Sequence, residues 1–138
     1  MKPEQVHSIR ESFAEISRLD HVAALVSYRR LFKFDPALRS LFTLNIEDES
    51  RKLMDMLGAL IAMAGEASGL DHKLRAMGAR HVGYGVKDAH YATVGAALLA
   101  MLSETLGSAF TPEVRGAWTA LYGAVETTMK AGAAAVPH

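Results

Sequence analysis

The sequence predicts an all-α fold, a single domain of about seven helices. Three observations carry that prediction. Apolar residues recur at i, i+3, i+4 and i+7 along nearly the whole chain, with no convincing stretch of the period-two alternation that marks a half-buried strand. Helix starts are punctuated by cap residues followed by a proline or an acidic first turn. The 138 residues, half of them hydrophobic, suffice for one continuous core, and no repeat, low-complexity segment or linker marks a second domain.

The first helix is expected over about residues 4–18, with Val6, Ile9, Phe13 and Ile16 on one face. A second begins near Asp20 and carries Leu25, Tyr28 and Phe32. It stops at Phe34-Asp35-Pro36, because proline disfavours helical geometry in the residue before it. Asp35 then reads as the N-cap, and Pro36 as the first residue, of a short helix ending near Leu41–Phe42. Asn45 caps a long helix to about Ala64, whose apolar face is Ile46, Leu53, Met56, Leu57 and Leu60. SGLDHKLRAMGARH (68–81) forms the next, with Leu70, Leu74, Met77 and His81 along one stripe, and Gly83 and Gly85 read as a sharp break after it. Asp88 opens another, with Val94, Leu98, Met101 and Leu102 facing inward. Thr111 caps the last helix and Pro112 lies in its first turn; its stripe is Trp118, Leu121, Tyr122, Val125 and Met129. The single domain spans 1–138, with residues from about 131 expected to fray.

Composition narrows the function. Fifteen basic residues balance 15 acidic ones, so no charge excess recruits nucleic acid. The start, MKPEQVHSIRESF, lacks the apolar core of a signal peptide, and no uninterrupted apolar run approaches the roughly 18 residues that span a bilayer. A soluble, cytoplasmic protein with no nucleic-acid or membrane partner is the expectation. Cysteine is absent, which excludes disulfides, thiolate metal sites and covalent haem attachment through Cys-x-x-Cys-His. The seven methionines are adaptable packing material.

His81, Tyr28 and Glu49 each interrupt an apolar stripe. A buried polar group without a partner costs about 1–3 kcal/mol, so each needs an account. A structural account exists for each: a satisfied core histidine, a tyrosine whose hydroxyl reaches solvent, and a carboxylate favoured by the helix macrodipole in a first turn. The alternative is one pocket shared by three helices, with His81 as axial ligand to a cofactor held between them. The other histidines fit less well. His7, His21 and His72 lie near helix starts, His90 is in a first turn and His138 is terminal. No H-E-x-x-H arrangement and no nucleophile–histidine–acid set is present.

LFKFDPALRSLF (31–42), SRKLM (50–54), GARHVGYGVKDAHYATVGAALLAML (78–102) and AFTPEVRGAWTALYGAV (109–125) together resemble the globin family over about residues 5–130, nearest to neuroglobins and single-domain bacterial haemoglobins of the flavohaemoglobin type. The resemblance implies a globin fold, a helical sandwich around a haem pocket that holds haem b non-covalently, with His81 as the proximal iron ligand. It implies that Phe42 packs on the haem face, Leu53 lies above the iron and Tyr28 occupies the distal position of the second helix. The SRKLM register puts Glu49 where neuroglobin has its distal histidine and many bacterial relatives have glutamine. It could point inward and neutral, cooperating with Tyr28, or swing ionised toward solvent; its place between Ile46 and Leu53 favours the former.

On this reading the second nitrogen of His81 donates to the Met77 carbonyl, Val86 packs against the ring, and Tyr91 and Val94 complete the cofactor contacts. Lys52 and Arg80 are candidates to pair with the propionates, with ordinary surface charge as the alternative. Three departures stand out. Glu49 makes closure of the iron by two histidines unexpected. Ala133 stands where flavohaemoglobins carry a glutamate behind the proximal histidine, and Glu126, seven residues earlier, is about 10 Å away along a helix. The chain carries no flavin or nicotinamide domain, so turnover would draw on an external reductase. The implied function is reversible binding of a diatomic gas (oxygen, carbon monoxide or nitric oxide) at ferrous iron, oxygen first, with oxygen transport among the roles. The alternatives are nitric oxide dioxygenation, peroxide or nitrite chemistry, and a haem-free regulatory domain in which His81 is merely structural.

Overall fold

Asp35, Asn45 and Thr111 cap helices as their sequence positions predict. The Asp35 carboxylate accepts from the Ala37 N–H at 3.2 Å, the Asn45 side chain from the Asp48 N–H at 2.9 Å, and Thr111 from the Val114 N–H at 3.3 Å. The computed structural model describes residues 2–19, 22–42, 45–63, 67–83 and 85–136, the side chains of 67–69 excepted. They form α1 (Pro3–Ser17), α2 (Val22–Phe34), a 3-10 helix (Pro36–Leu41), α3 (Ile46–Ala62), α4 (Ala67–Gly83), α5 (Asp88–Leu106), a 3-10 turn (Gly107–Ala109) and α6 (Pro112–Ala134). No strand occurs among the described residues. Asp20, His21, Ala64 and His138 lie outside them.

Asp88 opens α5 as the sequence reads, and the turn before it is fixed by the Lys87 N–H donating to His90 Nδ1 at 3.0 Å. One boundary differs from the sequence reading. Helix α6 runs on to Ala134, past the point at which fraying was expected, because Gly132 is buried against α4.

The helices are tied together by a few buried contacts. Trp118 of α6 is fully buried, and its indole N–H donates to Ser12 Oγ of α1 at 2.8 Å. The Tyr122 hydroxyl of α6 donates to the Tyr91 carbonyl of α5 at 2.5 Å. Helices α4 and α6 cross backbone to backbone: Gly78 lies against the Met129 carbonyl and Gly132 against that of Arg75. The segment Asp88–Ala109, with mean hydropathy 1.3, is long and apolar enough by composition to cross a membrane. Tyr91, Leu98, Met101 and Leu102 of this same segment are buried in the core, while 28% of the apolar window as a whole is buried.

The core is divided. One cluster of buried residues includes Ile9, Leu60, Met77, Tyr91, Leu98, Met101 and Trp118, with Val86 packed against it. The other is Tyr28, Leu31, Leu38 and Ala97, with Phe32, Leu41, Phe42 and Ile46 at its side. Leu53 packs against both. A main core with a smaller cluster beside it is usual for a domain of this size. Helices α2 and α5 contribute to both clusters; Met77, one turn before His81, belongs to the larger and Tyr28 to the smaller.

Candidate functional site

His81 sits half-buried in the last turn of α4, with its Nδ1 2.7 Å from the Met77 carbonyl one turn back. A carbonyl oxygen can only accept, so Nδ1 carries the proton and the lone pair lies on Nε2, the tautomer that suits a metal ligand. Burial pushes the imidazole below its ordinary pKa; the Met77 carbonyl opposes this by raising it, and Arg80 lowers it further. The ring is therefore neutral at neutral pH. Beyond it the Val86 N–H donates to the His81 carbonyl at 3.1 Å, and Gly85 takes φ +86°, a left-handed conformation that glycine adopts without strain. A Cβ on Gly85 would stand 3.4 Å from Leu41 Cδ2, so this turn also meets the short helix after α2. Gly83 does not share the role the sequence reading gave it. It ends α4 in open space without positive φ, and Gly85 alone makes the turn.

Tyr28 of α2 is only 8% exposed. Its hydroxyl donates to the backbone carbonyl of Glu49 at 3.3 Å, not to the carboxylate. Its ring meets Phe42 edge-on at 5.1 Å and stacks on Phe32 at 6.1 Å, and Phe32 meets Phe42 edge-on at 5.5 Å. Burial first, and Glu49 second, push the phenol well above its ordinary pKa, so it stays protonated. Glu49 is half-buried in the first turn of α3, beside Glu47 and Asp48. The next residue, Ser50, is fully buried and its hydroxyl makes no hydrogen bond among the described residues.

The other residues expected to contact the cofactor include several apolar side chains. Val94, expected to face inward and contact the cofactor, is more open than its neighbours on the stripe. It is 37% exposed, although Tyr91 (7%) and Leu98 (6%), about a turn away on either side of the same stripe, are buried. Leu53, Phe42 and Val86 are likewise only partly buried. A neutral imidazole, a buried phenol and apolar side chains that are only partly buried are the chemistry that fits a flat, mostly apolar cofactor whose metal takes one nitrogen ligand. Met77 and Tyr91 are buried, whereas Lys52 and Arg80 are exposed. Glu126 is engaged elsewhere: its carboxylate accepts from Lys130 Nζ at 3.2 Å, and that ammonium lies 5.6 Å over the Tyr91 ring. Ser50, Phe32, Leu41 and Gly78 border the site without having been singled out in the sequence. Their nearest signal there is proximity to Glu49, Tyr28, Phe42 and His81.

Comparison with known proteins identifies the family. The globin family model matches residues 26–129, and the chain belongs to the globin family. The fold is accordingly the all-α globin fold. Among similar proteins are the neuroglobins of Danio rerio, Tetraodon nigroviridis and Chaenocephalus aceratus, at 29%, 30% and 31% identity. Each alignment covers 90% of this chain and 87% of the relative. Family membership carries haem-based binding of a diatomic gas as the general function.

Proposed function

We propose that this globin holds haem b non-covalently through His81 and binds oxygen reversibly on the side of Tyr28. The observation that supports the reading is the pair of anchored groups, a neutral imidazole held by the Met77 carbonyl and a buried, protonated phenol, with Leu53 packed against both core clusters. Ferrous haem supplies reversible coordination of the gas. The Met77 carbonyl keeps His81 in the tautomer and orientation that iron needs. Phe42, Leu53, Val86 and Val94 cover the ring faces and exclude water. Lys52 and Arg80 pair with the propionates. Tyr28 offers its proton to the negative end of a polar ligand by turning from the Glu49 carbonyl, which retains its partner in the α3 ladder. Glu49, at the edge of the distal side, adds a carboxylate whose field bears on that phenol. We read the protein as cytoplasmic, acting without membrane or nucleic acid and kept ferrous by an external reductase.

The test is reconstitution with one equivalent of haem, followed by reduction and cycling between oxygen and argon. The expected result is a Soret band that moves reversibly between two ferrous spectra. Failure to take up haem, or prompt conversion to ferric iron with no reversible phase, contradicts the reading.

A further inference from the structure

Two glycines hold α4 against α6 at a separation that no other residue permits. A Cβ on Gly78 would collide with the backbone carbonyl of Met129, and one on Gly132 with that of Arg75. The contact is reciprocal and involves main chain on both sides, so no side-chain rotation relieves it. Alanine is the better helix former, and helix propensity therefore gives no reason for glycine at either position. The nitrogen of Gly78 also belongs to the same peptide as the Met77 carbonyl, which lies 2.7 Å from His81 Nδ1. His81 itself follows Gly78 by three residues on the same helix. Main chain of α6 thus bears directly on the peptide that orients the imidazole.

We propose that the Gly78–Gly132 crossing is a positioning device that sets the height and tilt of His81, and through them the strength of its bond to haem iron. The inference rests on the reading of His81 as the haem ligand. Gly78 and Gly132 are positioning residues that act through His81. A methyl group at either one must move α4 away from α6, carrying with it the Cα of His81 and the carbonyl that holds its ring. The imidazole then reaches its former place only with a changed tilt or a lengthened hydrogen bond, and second-shell changes of this kind weaken a metal site.

Gly78→Ala and Gly132→Ala are made singly in a background carrying Gly116→Ala and Gly123→Ala. These are exposed α6 positions where a Cβ meets nothing within 4 Å, so the background gains helix stability. Two quantities are read: the iron–histidine stretching band of the ferrous unliganded protein, and the rate of haem transfer to an excess of haem-free acceptor. Both variants should shift the band and lose haem roughly 10-fold faster, the lower end for a lost second-shell partner, with helical circular dichroism retained. In a His81→Gly chain loaded with haem and free imidazole the ligand is no longer tethered, and Gly132→Ala should then add no shift. Unchanged band and haem loss in the folded variants overturn the proposal. So does an equal shift in the untethered chain, or failure of both variants to fold in the stabilised background, which makes the crossing purely structural. A His81→Gly chain that keeps the wild-type band without imidazole overturns the ligand reading instead.

Discussion

Tyr28 has one proton to give, and the structure has it donated to the Glu49 carbonyl at 3.3 Å. That is a long bond, so a polar ligand can compete for the proton. Replacing Tyr28 by phenylalanine should speed oxygen dissociation by a few-fold to about tenfold, the equivalent of one hydrogen bond worth roughly 0.5–1.5 kcal/mol. Carbon monoxide, being less polar, should be affected less. Stopped-flow displacement checks both, and equal rates for wild type and Tyr28→Phe would mean that the phenol never leaves Glu49. A pH dependence follows from His81. Its pKa in the folded chain lies below the ordinary 6.5. As pH falls the unfolded chain takes up the proton first, so the stabilisation is present above about pH 6.5 and is lost below it. The haem-free protein should therefore lose urea stability on acidification through that range, and His81→Phe should flatten the profile there. A variant with the wild-type acid slope would assign the slope to other groups.

At the scale of the elements, Gly85 and the helix caps make separable predictions. Gly85→Ala places a Cβ at φ +86° and should destabilise by about 1–2 kcal/mol. Gly83→Ala, in open space at the end of α4, should be near neutral. Thermal melts of the two variants distinguish the one glycine that makes the turn from its neighbour. Asn45→Ala removes a cap bond of 2.9 Å and should cost about 1 kcal/mol. These elements also show what a one-dimensional pattern carries. Caps at Asp35, Asn45 and Thr111, and stripes such as Trp118 to Met129, are local, so spacing and residue type locate them. The partner of His81 was legible for the same reason, being one turn back on its own helix. Three things were not. Gly78 and Gly132 matter through the main chain of Met129 and Arg75, more than 50 residues away in sequence, with no side chain to announce it. Gly83 looked as apt for a turn as Gly85, because residue type does not disclose φ. Val94 matches the periodicity of its buried neighbours, and only the tertiary arrangement leaves it 37% exposed.

At the scale of the whole molecule, the divided core is the feature with the widest consequences. The larger part is built on Trp118, Met101 and Ile9, the smaller on Tyr28, Leu31 and Leu38, and Leu53 packs against both. On the proposed function haem would join the two parts, so loading should raise the melting temperature and sharpen the transition. A ligand at 100 times its dissociation constant adds about 2.7 kcal/mol by mass action. Calorimetry of haem-free and loaded protein measures this, and identical transitions would mean that haem does not enter the core. The claim on which everything else depends is that His81 is the iron ligand. The most direct measurement of it is the ferrous and carbon monoxide spectrum of His81→Ala beside wild type, with and without added imidazole. The account predicts that the variant loses haem or shows an altered axial ligand, and that imidazole restores the wild-type spectrum. A variant that keeps wild-type ferrous and carbon monoxide spectra with no imidazole present contradicts it.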